Sequence, residues 1–265
     1  MKEFIKKIAG QKSVMLYRRY NDSKIVRRDK RLYREYEKDN YKARLKMYSS
    51  LIKPGDLVFD VGANIGNRVA PLLKVGANII AIEPQEACYT ILKKKFKDKI
   101  TIVTKGVDAK PGSKKFYIST KSTPLSSFSE EWVDSMKANR FQSEKWDKSE
   151  EVDMTTLDLL VKKYGKPVFI KIDVEGYEAE VLKGLTHSVK YLSFEYTVPE
   201  YPDKAIECVN RLNDINGNVK FNYSIGESME WALSEWLTGV EMKKHIESSE
   251  FLNTIFGDIY AHNSL

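Results

Sequence analysis

Short apolar runs alternate with helix-like segments through the middle of this chain. The apolar runs predict strands at 57–61, 78–82, 100–104, 167–172 and 191–196. Helical spacing of apolar positions predicts helices over about 66–75, 86–96, 155–164 and 177–184. Nearly continuous apolar strands joined by helices are typical of a parallel sheet covered on both faces. We therefore predict an α/β fold.

The two ends of the chain and one internal stretch depart from this alternation. Residues 219–224 and 258–262 predict strands around a helical insert, which favours a terminal antiparallel hairpin added to the parallel sheet. Residues 119–150 are polar and are predicted to be a lid or a binding insert. Residues 1–50 are predicted to be a helical extension before a main domain at 51–265. Its packing face is predicted at Leu32, Tyr36, Tyr41, Leu45 and Tyr48.

Composition narrows the class of protein. The 265 residues are 42% hydrophobic, which is ordinary for a globular chain, and no apolar run reaches membrane-spanning length. The first ten residues lack the apolar core of a secretion signal. Two cysteines, Cys88 and Cys208, have no metal-binding spacing and suit a reducing compartment. We expect a cytoplasmic protein.

The positive charge is concentrated at the N-terminus. Residues 1–50 hold 16 Lys and Arg against six Asp and Glu, so the net charge of this segment is +10. The net charge of the whole chain is +7, so residues 51–265 together carry −3. Such a segment is predicted to contact an anionic surface: lipid, nucleic acid or glycan. The alternative is a solvated helix that aids solubility or packs on a partner subunit, and a homo-oligomer is one such arrangement.

The first predicted strand leads into a glycine-spaced turn. Asp60 lies near the end of the strand, and Gly62-x-x-x-Gly66 follows at once. Strand, acid, glycine turn and helix form the entry to a nucleotide-type site. Position 64 is Asn, so the G-x-G-x-x-G of a dinucleotide site is not present. Glu83 ends the second strand, 21 residues after Gly62, where an acid typically binds ribose hydroxyls.

Carboxylates are predicted at five strand ends: Asp60, Glu83, Asp108, Asp173 and Glu195. Partly buried carboxylates repel one another, so together they favour a ligand with cationic and hydroxyl groups. S-adenosylmethionine (SAM) supplies a sulfonium, an ammonium and two ribose hydroxyls.

The segment 170–178 carries a second cluster of charge. Strand alternation places Lys171 and Asp173 on one side of the strand. A lysine inside an apolar strand usually needs a carboxylate partner, and Asp173 or Glu175 is predicted to be that partner.

With these residues the chain resembles the FkbM family of SAM-dependent methyltransferases. The resemblance rests on residues 58–66, Ile82-Glu83-Pro84, Thr156-Leu157-Asp158 and 170–178, with 257–260 similar to the last strand of the family. It implies a class I, Rossmann-like methyltransferase fold with a seven-stranded, mostly parallel sheet and an antiparallel last strand. It also implies SAM as cofactor, S-adenosylhomocysteine as product, and O-methylation of a sugar, glycan or similar natural-product hydroxyl.

The same resemblance implies a set of cofactor-binding residues. Asp60, Gly62, Ala63, Asn64 and Gly66 would face the methionine part of SAM, Glu83 and Pro84 its ribose, and Val107 and Asp108 the edge of its adenine.

For the acceptor hydroxyl, the candidate bases are Asp173, Glu175 and Glu195, with Lys171 orienting the acceptor or a carboxylate. Asp173 and Glu195 would suit a divalent cation, but no spacing argues for one, so no metal site is predicted. Two alternatives stay open. One is a nucleic-acid methyltransferase or binder that uses the basic N-terminus, and the other is a non-catalytic subunit that kept the fold.

Overall fold

The computed structural model describes residues 26–120 and 122–263, and their side chains from residue 38 onward. The predicted packing positions Leu32 and Tyr36 and most of the basic segment 1–50 therefore lie outside the described side chains. No described helix has the length and apolar character needed to cross a bilayer.

The main sheet has eight strands in the order β10-β9-β11-β8-β7-β1-β2-β3. Strands β1, β2, β3, β7 and β8 are parallel, whereas β11 runs antiparallel between β8 and β9. The predicted α/β class and antiparallel last strand are confirmed, and the two-residue β10 adds an eighth strand at the edge. The strands are β1 (Leu57–Val61), β2 (Asn78–Ile82), β3 (Thr101–Val103), β7 (Phe169–Ile172), β8 (Tyr191–Thr197), β9 (Lys220–Ile225), β10 (Leu237–Thr238) and β11 (Phe256–His262).

Helices cover both faces of this sheet, as the near-continuous apolar strands require. On one face Val58 packs with Tyr48, Leu72 and Phe96, which come from the first three helices. On the other face Phe59 packs in the core formed by the later helices. The helices are α1 (Val26–Leu51), α2 (Val69–Val75), α3 (Glu86–Phe96), α4 (Glu130–Ala138), α5 (Leu157–Tyr164), α6 (Glu178–Lys183), α7 (Pro202–Ile215), α8 (Gly239–Ile246) and α9 (Ser249–Leu252).

A second sheet corrects the prediction for the middle of the chain. Strands β4 (Gly106–Val107), β5 (Gly112–Ile118) and β6 (Lys148–Thr155) pair in the order β4-β6-β5. Strand β6 escaped sequence analysis because its first four residues are exposed and polar, so it has no apolar run. Asp108 follows β4 of this sheet and not a strand of the main sheet, so the prediction of five acids at the ends of one sheet is wrong for Asp108.

The polar segment 119–150 has a small core of its own. It contains α4, and its buried apolar residues include Trp132, Met136, Phe141 and Trp146. The Trp132 and Trp146 rings meet edge to face, with centroids 6.5 Å apart. Isolated aromatics in a polar sequence thus stabilise a packed unit beside the main sheet.

The buried face of α1 differs from the predicted one. Residues Asn40, Arg44, Met47, Tyr48 and Leu51 are buried at helical spacing. Of the predicted positions with described side chains, Tyr48 is buried, whereas the other two are only half-buried. Since Met47, Tyr48 and Leu51 share a core with the sheet, the C-terminal half of α1 is part of the main body.

Candidate active site

A cleft opens at the carboxyl ends of β1, β2, β7 and β8. The turn after β1 contributes Gly62, Ala63 and Asn64, and the end of β2 contributes Glu83 and Pro84. Facing them are the predicted catalytic residues, Lys171, Asp173, Glu175 and Glu195. The open ends of parallel strands are where α/β sheets bind ligands, because several loops meet there.

Two glycines of the first turn are required by neighbouring protein atoms. Gly62 has φ +79°, and a Cβ there would lie 1.8 Å from the carbonyl oxygen of Asp173. Gly66 has φ +83°, and its Cβ would lie 2.3 Å from the ring of Phe96. Gly62 therefore lets the turn after β1 approach β7, whereas Gly66 lets α3 pack beneath the turn. Gly66 does not itself line the cleft.

Glu83 holds the turn and also faces the cleft. Its carboxylate accepts the Asn64 N–H at 2.7 Å and the Gln85 N–H at 2.9 Å, one on each oxygen. Burial raises the pKa of Glu83 to about 7, although the two N–H donors oppose the rise. Each carboxylate oxygen can accept a second hydrogen bond, so Glu83 is able to receive hydroxyl donors from a ligand.

Lys171 is the buried cation of the site. Its Nζ donates to Asp173 Oδ2 at 2.8 Å and lies 3.8 Å from Asp60 Oδ1, which confirms the predicted carboxylate partner. Burial alone lowers the pKa of Lys171, but Asp173 and Asp60 outweigh it, so the pKa lies above its usual value and Lys171 is charged. Lys171 thus fixes Asp173 at the end of β7.

Asp60 lies behind the cleft and not in its lining. Its side chain is fully buried, and its nearest cation is Lys171. Burial raises the pKa of Asp60, with Lys171 acting against the rise. The geometry assigns Asp60 an indirect part, because it shares Lys171 with Asp173. Asp60 does not line the cleft, and its predicted role beside the methionine part of the cofactor stays a prediction.

Three carboxylates converge at the ends of β7 and β8. One oxygen each of Asp173, Glu175 and Glu195 lies within 4.8 Å of the others, and all three side chains are half-buried. Burial raises the pKa of Glu195 well above its usual value, and the charges of Glu175 and Asp173 raise it further. Carboxylates this close repel one another when ionised, and this repulsion favours a proton on one of them.

The turn that carries Glu175 is held by a residue which sequence analysis did not single out. Glu178 is buried and accepts the Val174 N–H at 3.0 Å and the Gly176 N–H at 3.3 Å through the same oxygen. Glu175 itself has φ +54°, a left-handed conformation that is unfavourable for a residue with a Cβ. Such strain persists where surrounding contacts impose it, which here are the bonds to Glu178.

The unit around α4 closes one wall of the cleft. Ser122, Leu125 and Phe128 line it, and the Ser127 hydroxyl donates to the Glu175 carbonyl at 2.7 Å. The segment 119–150 therefore contacts the turn that carries a predicted base. Its polar sequence signalled an insert but not which of its residues meet the cleft.

The opposite wall comes from α1, the start of α2 and the β9–β10 loop. Asn40, Arg44, Arg68 and Glu227 line it. None of the four was predicted as a site residue, because each is a lone polar residue outside the glycine turn and the strand ends. The one sequence signal is that Asn40 and Arg44 lie at helical spacing with the apolar positions of α1. This signal becomes informative only when the packing of α1 on the sheet is known.

Of the predicted adenine contacts, Val107 lines the cleft whereas Asp108 does not. The Asp108 carboxylate accepts the N–H of Ala109 at 2.6 Å and lies 3.9 Å from Lys114 Nζ. Its predicted contact with the adenine edge stays a prediction.

Comparisons with known proteins agree with this geometry. The model of the methyltransferase FkbM domain matches residues 60–218. The chain belongs to the FkbM methyltransferase family. The match covers the glycine turn, Glu83 and the 170–178 segment, and it begins after α1.

Two characterised relatives share parts of this chain. It is 29% identical over 144 residues to the hexuronic acid methyltransferase AglP of Haloferax volcanii, which covers 52% of this chain and 54% of that one. It is 38% identical over 64 residues to a mitochondrial small-subunit ribosomal RNA methyltransferase of Arabidopsis thaliana. This match covers 22% of this chain and 17% of the relative. The chain thus spans about half the length of the first relative and less of the second.

Solved structures that align with this chain at low identity include proteins with bound SAM. Magnesium protoporphyrin IX methyltransferase from Synechocystis with bound SAM aligns over 99% of this chain and 97% of its own, at 10% identity and a TM-score of 0.45. Fibrillarin from Aeropyrum pernix with bound SAM aligns over 80% of this chain and 68% of its own, at 10% identity and a TM-score of 0.41.

The cleft fits the cofactor of this family, S-adenosylmethionine. Gly62 gives the close backbone approach at the turn, and Glu83 has acceptor oxygens in the cleft that could receive ribose hydroxyls. Ala63, Asn64, Pro84 and Val107, which are also predicted cofactor contacts, line the same cleft.

Proposed function

We propose that this protein is a SAM-dependent O-methyltransferase that acts on a hydroxyl of a sugar or glycan. The observation that carries the proposal is the convergence of Asp173, Glu175 and Glu195 in the same cleft as Glu83. A base beside a cofactor site is what an aliphatic hydroxyl requires, because an aliphatic hydroxyl is a weak nucleophile. The relative that acts on hexuronic acid supports a sugar as acceptor.

The bound cofactor supplies an electrophilic methyl group on a sulfonium. The acceptor oxygen must lie in line with that methyl group, and the cleft walls around α1 and α4 restrict its approach and exclude water. With SAM bound, transfer of its methyl group to the acceptor oxygen would release S-adenosylhomocysteine, and the hydroxyl proton would pass to the cluster of Asp173, Glu175 and Glu195. Glu195 is the base that we propose, because its carboxylate lies in the cleft beside those of Asp173 and Glu175. Lys171 holds Asp173 in place throughout.

The test is a methyl-transfer assay on a panel of sugars and hexuronates, read by mass spectrometry of the product. Glu195→Gln is expected to bind S-adenosylhomocysteine with wild-type affinity and to lose turnover by about 10²–10⁴-fold, the usual range for a missing general base. Asp134→Asn, an exposed acid on α4, serves as the control and keeps full turnover. A folded wild-type protein that binds no S-adenosylhomocysteine in calorimetry would contradict the proposal.

One observation favours a second candidate, methylation of RNA. The ribosomal RNA methyltransferase shares 38% identity over 64 residues, and residues 1–50 carry a net +10. When a protein contacts RNA phosphates, its affinity for the RNA falls steeply as the salt concentration rises. The test of this candidate is therefore the affinity for a structured RNA, measured between 50 and 200 mM salt. Weak or salt-insensitive binding would reject the RNA candidate and leave the sugar O-methyltransferase as the one proposed function.

A further inference from the structure

The buried face of α1 changes from apolar to polar where the helix reaches the cleft. Met47, Tyr48 and Leu51 pack in the core against the sheet. One and two turns earlier, the same face presents Arg44 and Asn40, whose exposed fractions are only 4% and 7%, and both line the cleft. Residues at this spacing share one side of a helix, so the polar pair is aimed at the cleft and not at solvent.

Asn40 has an unused hydrogen-bond donor at this wall. Its amide Nδ2 has no acceptor among residues 26–120 and 122–263, although the side chain is more than nine-tenths buried. A buried donor without an acceptor destabilises the folded protein, so buried amides nearly always have a partner. A ligand in the cleft would supply the acceptor.

Two guanidinium groups lie on the same wall and share one carboxylate. Arg44 donates to Glu227 Oε2 at 2.9 Å, and Arg68 lies 2.9 Å from that oxygen and donates to Oε1 at 3.2 Å. The two arginines outweigh the effect of burial and lower the pKa of Glu227 to about 2. Arg68 also reaches Asp258 at 3.4 Å. A guanidinium pair beside an amide donor is the chemistry that binds carboxylates.

We propose that Asn40, Arg44 and Arg68 form a carboxylate-binding subsite at the α1 wall of the cleft. The proposal rests on the assignment of SAM to the cleft. Two carboxylates qualify: that of the methionine part of the cofactor, and that of an acidic sugar acceptor. The cofactor is favoured, because Arg68 directly precedes α2 and its neighbour Asn67 lines the cleft next to the glycine turn. Both α1 residues lie outside the region that matches the family.

The first experiment compares S-adenosylhomocysteine with 5′-methylthioadenosine, which lacks the amino-acid part, by calorimetry. Asn40→Leu removes the donor at nearly constant volume, and Arg44→Lys keeps the charge but loses the planar fork. If the cofactor supplies the carboxylate, each variant weakens S-adenosylhomocysteine binding by roughly tenfold. Binding of 5′-methylthioadenosine stays unchanged, which also shows that the cleft is intact. Lys42→Ala, on the exposed side of the same helix, is the matched control and changes neither affinity.

The second experiment tests the acceptor as the source. With S-adenosylhomocysteine present, methyl glucuronide and methyl glucoside are titrated against the wild type and both variants. If the acceptor supplies the carboxylate, only the glucuronide loses affinity in the variants, and cofactor binding is unaffected. Unchanged affinity of both variants for S-adenosylhomocysteine and for methyl glucuronide overturns the subsite.

Thermal unfolding separates a ligand role from a purely structural one. Without ligand, Asn40→Leu is expected to be at least as stable as the wild type, because it removes an unsatisfied buried donor. Weaker ligand binding together with undiminished stability supports the subsite, whereas a lower melting temperature with wild-type binding contradicts it. Failure of the wild type to bind S-adenosylhomocysteine would instead count against the proposed function.

Discussion

At the scale of single residues, Glu83 combines two tasks in one carboxylate. It accepts the Asn64 N–H of the glycine turn and the Gln85 N–H of its own segment, and it faces the cleft where the ribose is predicted. Both tasks are done best by the ionised form, yet burial raises the pKa of Glu83 to about 7. The protein therefore holds this group near the midpoint of its titration at neutral pH.

We expect affinity for S-adenosylhomocysteine to increase as pH rises from about 6 to 8. Over this range Glu83 ionises and gains acceptor capacity for ribose hydroxyls, and a hydrogen bond to a charged group contributes about 1.5–3 kcal/mol. Glu83→Gln should bind several-fold more weakly at pH 8 and lose most of the pH dependence. Calorimetry at three pH values measures this, and an unchanged pH profile in the variant would assign the dependence to another group.

Gly176 is a second residue with a strict steric requirement. It has φ +83°, and an added Cβ would lie 2.2 Å from the ring of Trp132. We expect Gly176→Ala to lower the free energy of unfolding by roughly 2–4 kcal/mol, because backbone strain and overpacking both oppose it. Gly217→Ala is the control, since a Cβ there meets nothing within 4 Å. Equal stability of the two variants in urea would contradict the packing of α4 on this turn.

At the scale of elements, the turn between β7 and α6 is held from two sides. Glu178, in the first turn of α6, binds two N–H groups of the turn, and Ser127 of the α4 unit binds the Glu175 carbonyl. The position of the predicted base therefore depends on both α6 and the insert. This coupling explains why a polar insert contacts the site without supplying a predicted catalytic group.

The buried carboxyl of Glu178 is expected to make stability depend on pH. Burial raises its pKa to about 7, above the usual value of an exposed Glu, so its contribution is fully present below about pH 4.5. That contribution is lost as pH rises through about 7. Glu178→Gln keeps the oxygen that accepts both N–H groups, so it should gain roughly 1–3 kcal/mol relative to the wild type between pH 5 and 8.

Urea unfolding of both proteins at pH 5 and 8 measures this difference. Glu180→Gln, on the same helix with a half-buried side chain that pairs with Lys183, is the control and should show no such pH dependence between pH 5 and 8. A Glu178→Gln variant that loses stability equally at both pH values would show that the carboxyl is not buried in its protonated form.

At the scale of the whole molecule, Glu227 joins parts of the chain that are far apart in sequence. It links Arg44 of α1, 183 residues away, and Arg68 beside α2 to the β9–β10 loop. The N-terminal helix is thus tied to the C-terminal part of the sheet along one wall of the cleft. An extension that looks separable in sequence becomes a wall of the site.

We expect Glu227→Gln to cost about 2–3 kcal/mol of stability at pH 7. This is below the roughly 3–5 kcal/mol of a fully buried pair, because 29% of the Glu227 side chain meets solvent. The arginines lower the pKa of Glu227 to about 2, so its stabilisation is present above about pH 4.5 and is lost as pH falls toward 2. Denaturation curves at pH 7 and 3 should therefore differ less for the variant, with exposed Glu230→Gln as the control. No loss at pH 7 would contradict the link.

The sequence by itself determined the parts of this protein that depend on neighbouring residues. Alternation within one strand predicts the apolar strands and the Lys171–Asp173 pair. The residues that follow a strand predict the glycine turn after β1 and Glu83 at the end of β2. The carboxyl ends of parallel strands meet at one edge, so such local features also placed the cleft. The cytoplasmic location, the anionic contact of residues 1–50 and a homo-oligomer stay predictions.

Only the tertiary structure decided which distant residues complete the site. Asp108 left the cleft because β4 pairs with β6 in a second sheet, and that pairing has no apolar signature in β6. Asn40, Arg44 and Glu227 entered the cleft because α1 packs on the sheet beside the β9–β10 loop. Contacts between residues almost 200 positions apart depend on the packing of the whole core, and no local pattern of hydrophobic and polar residues encodes them.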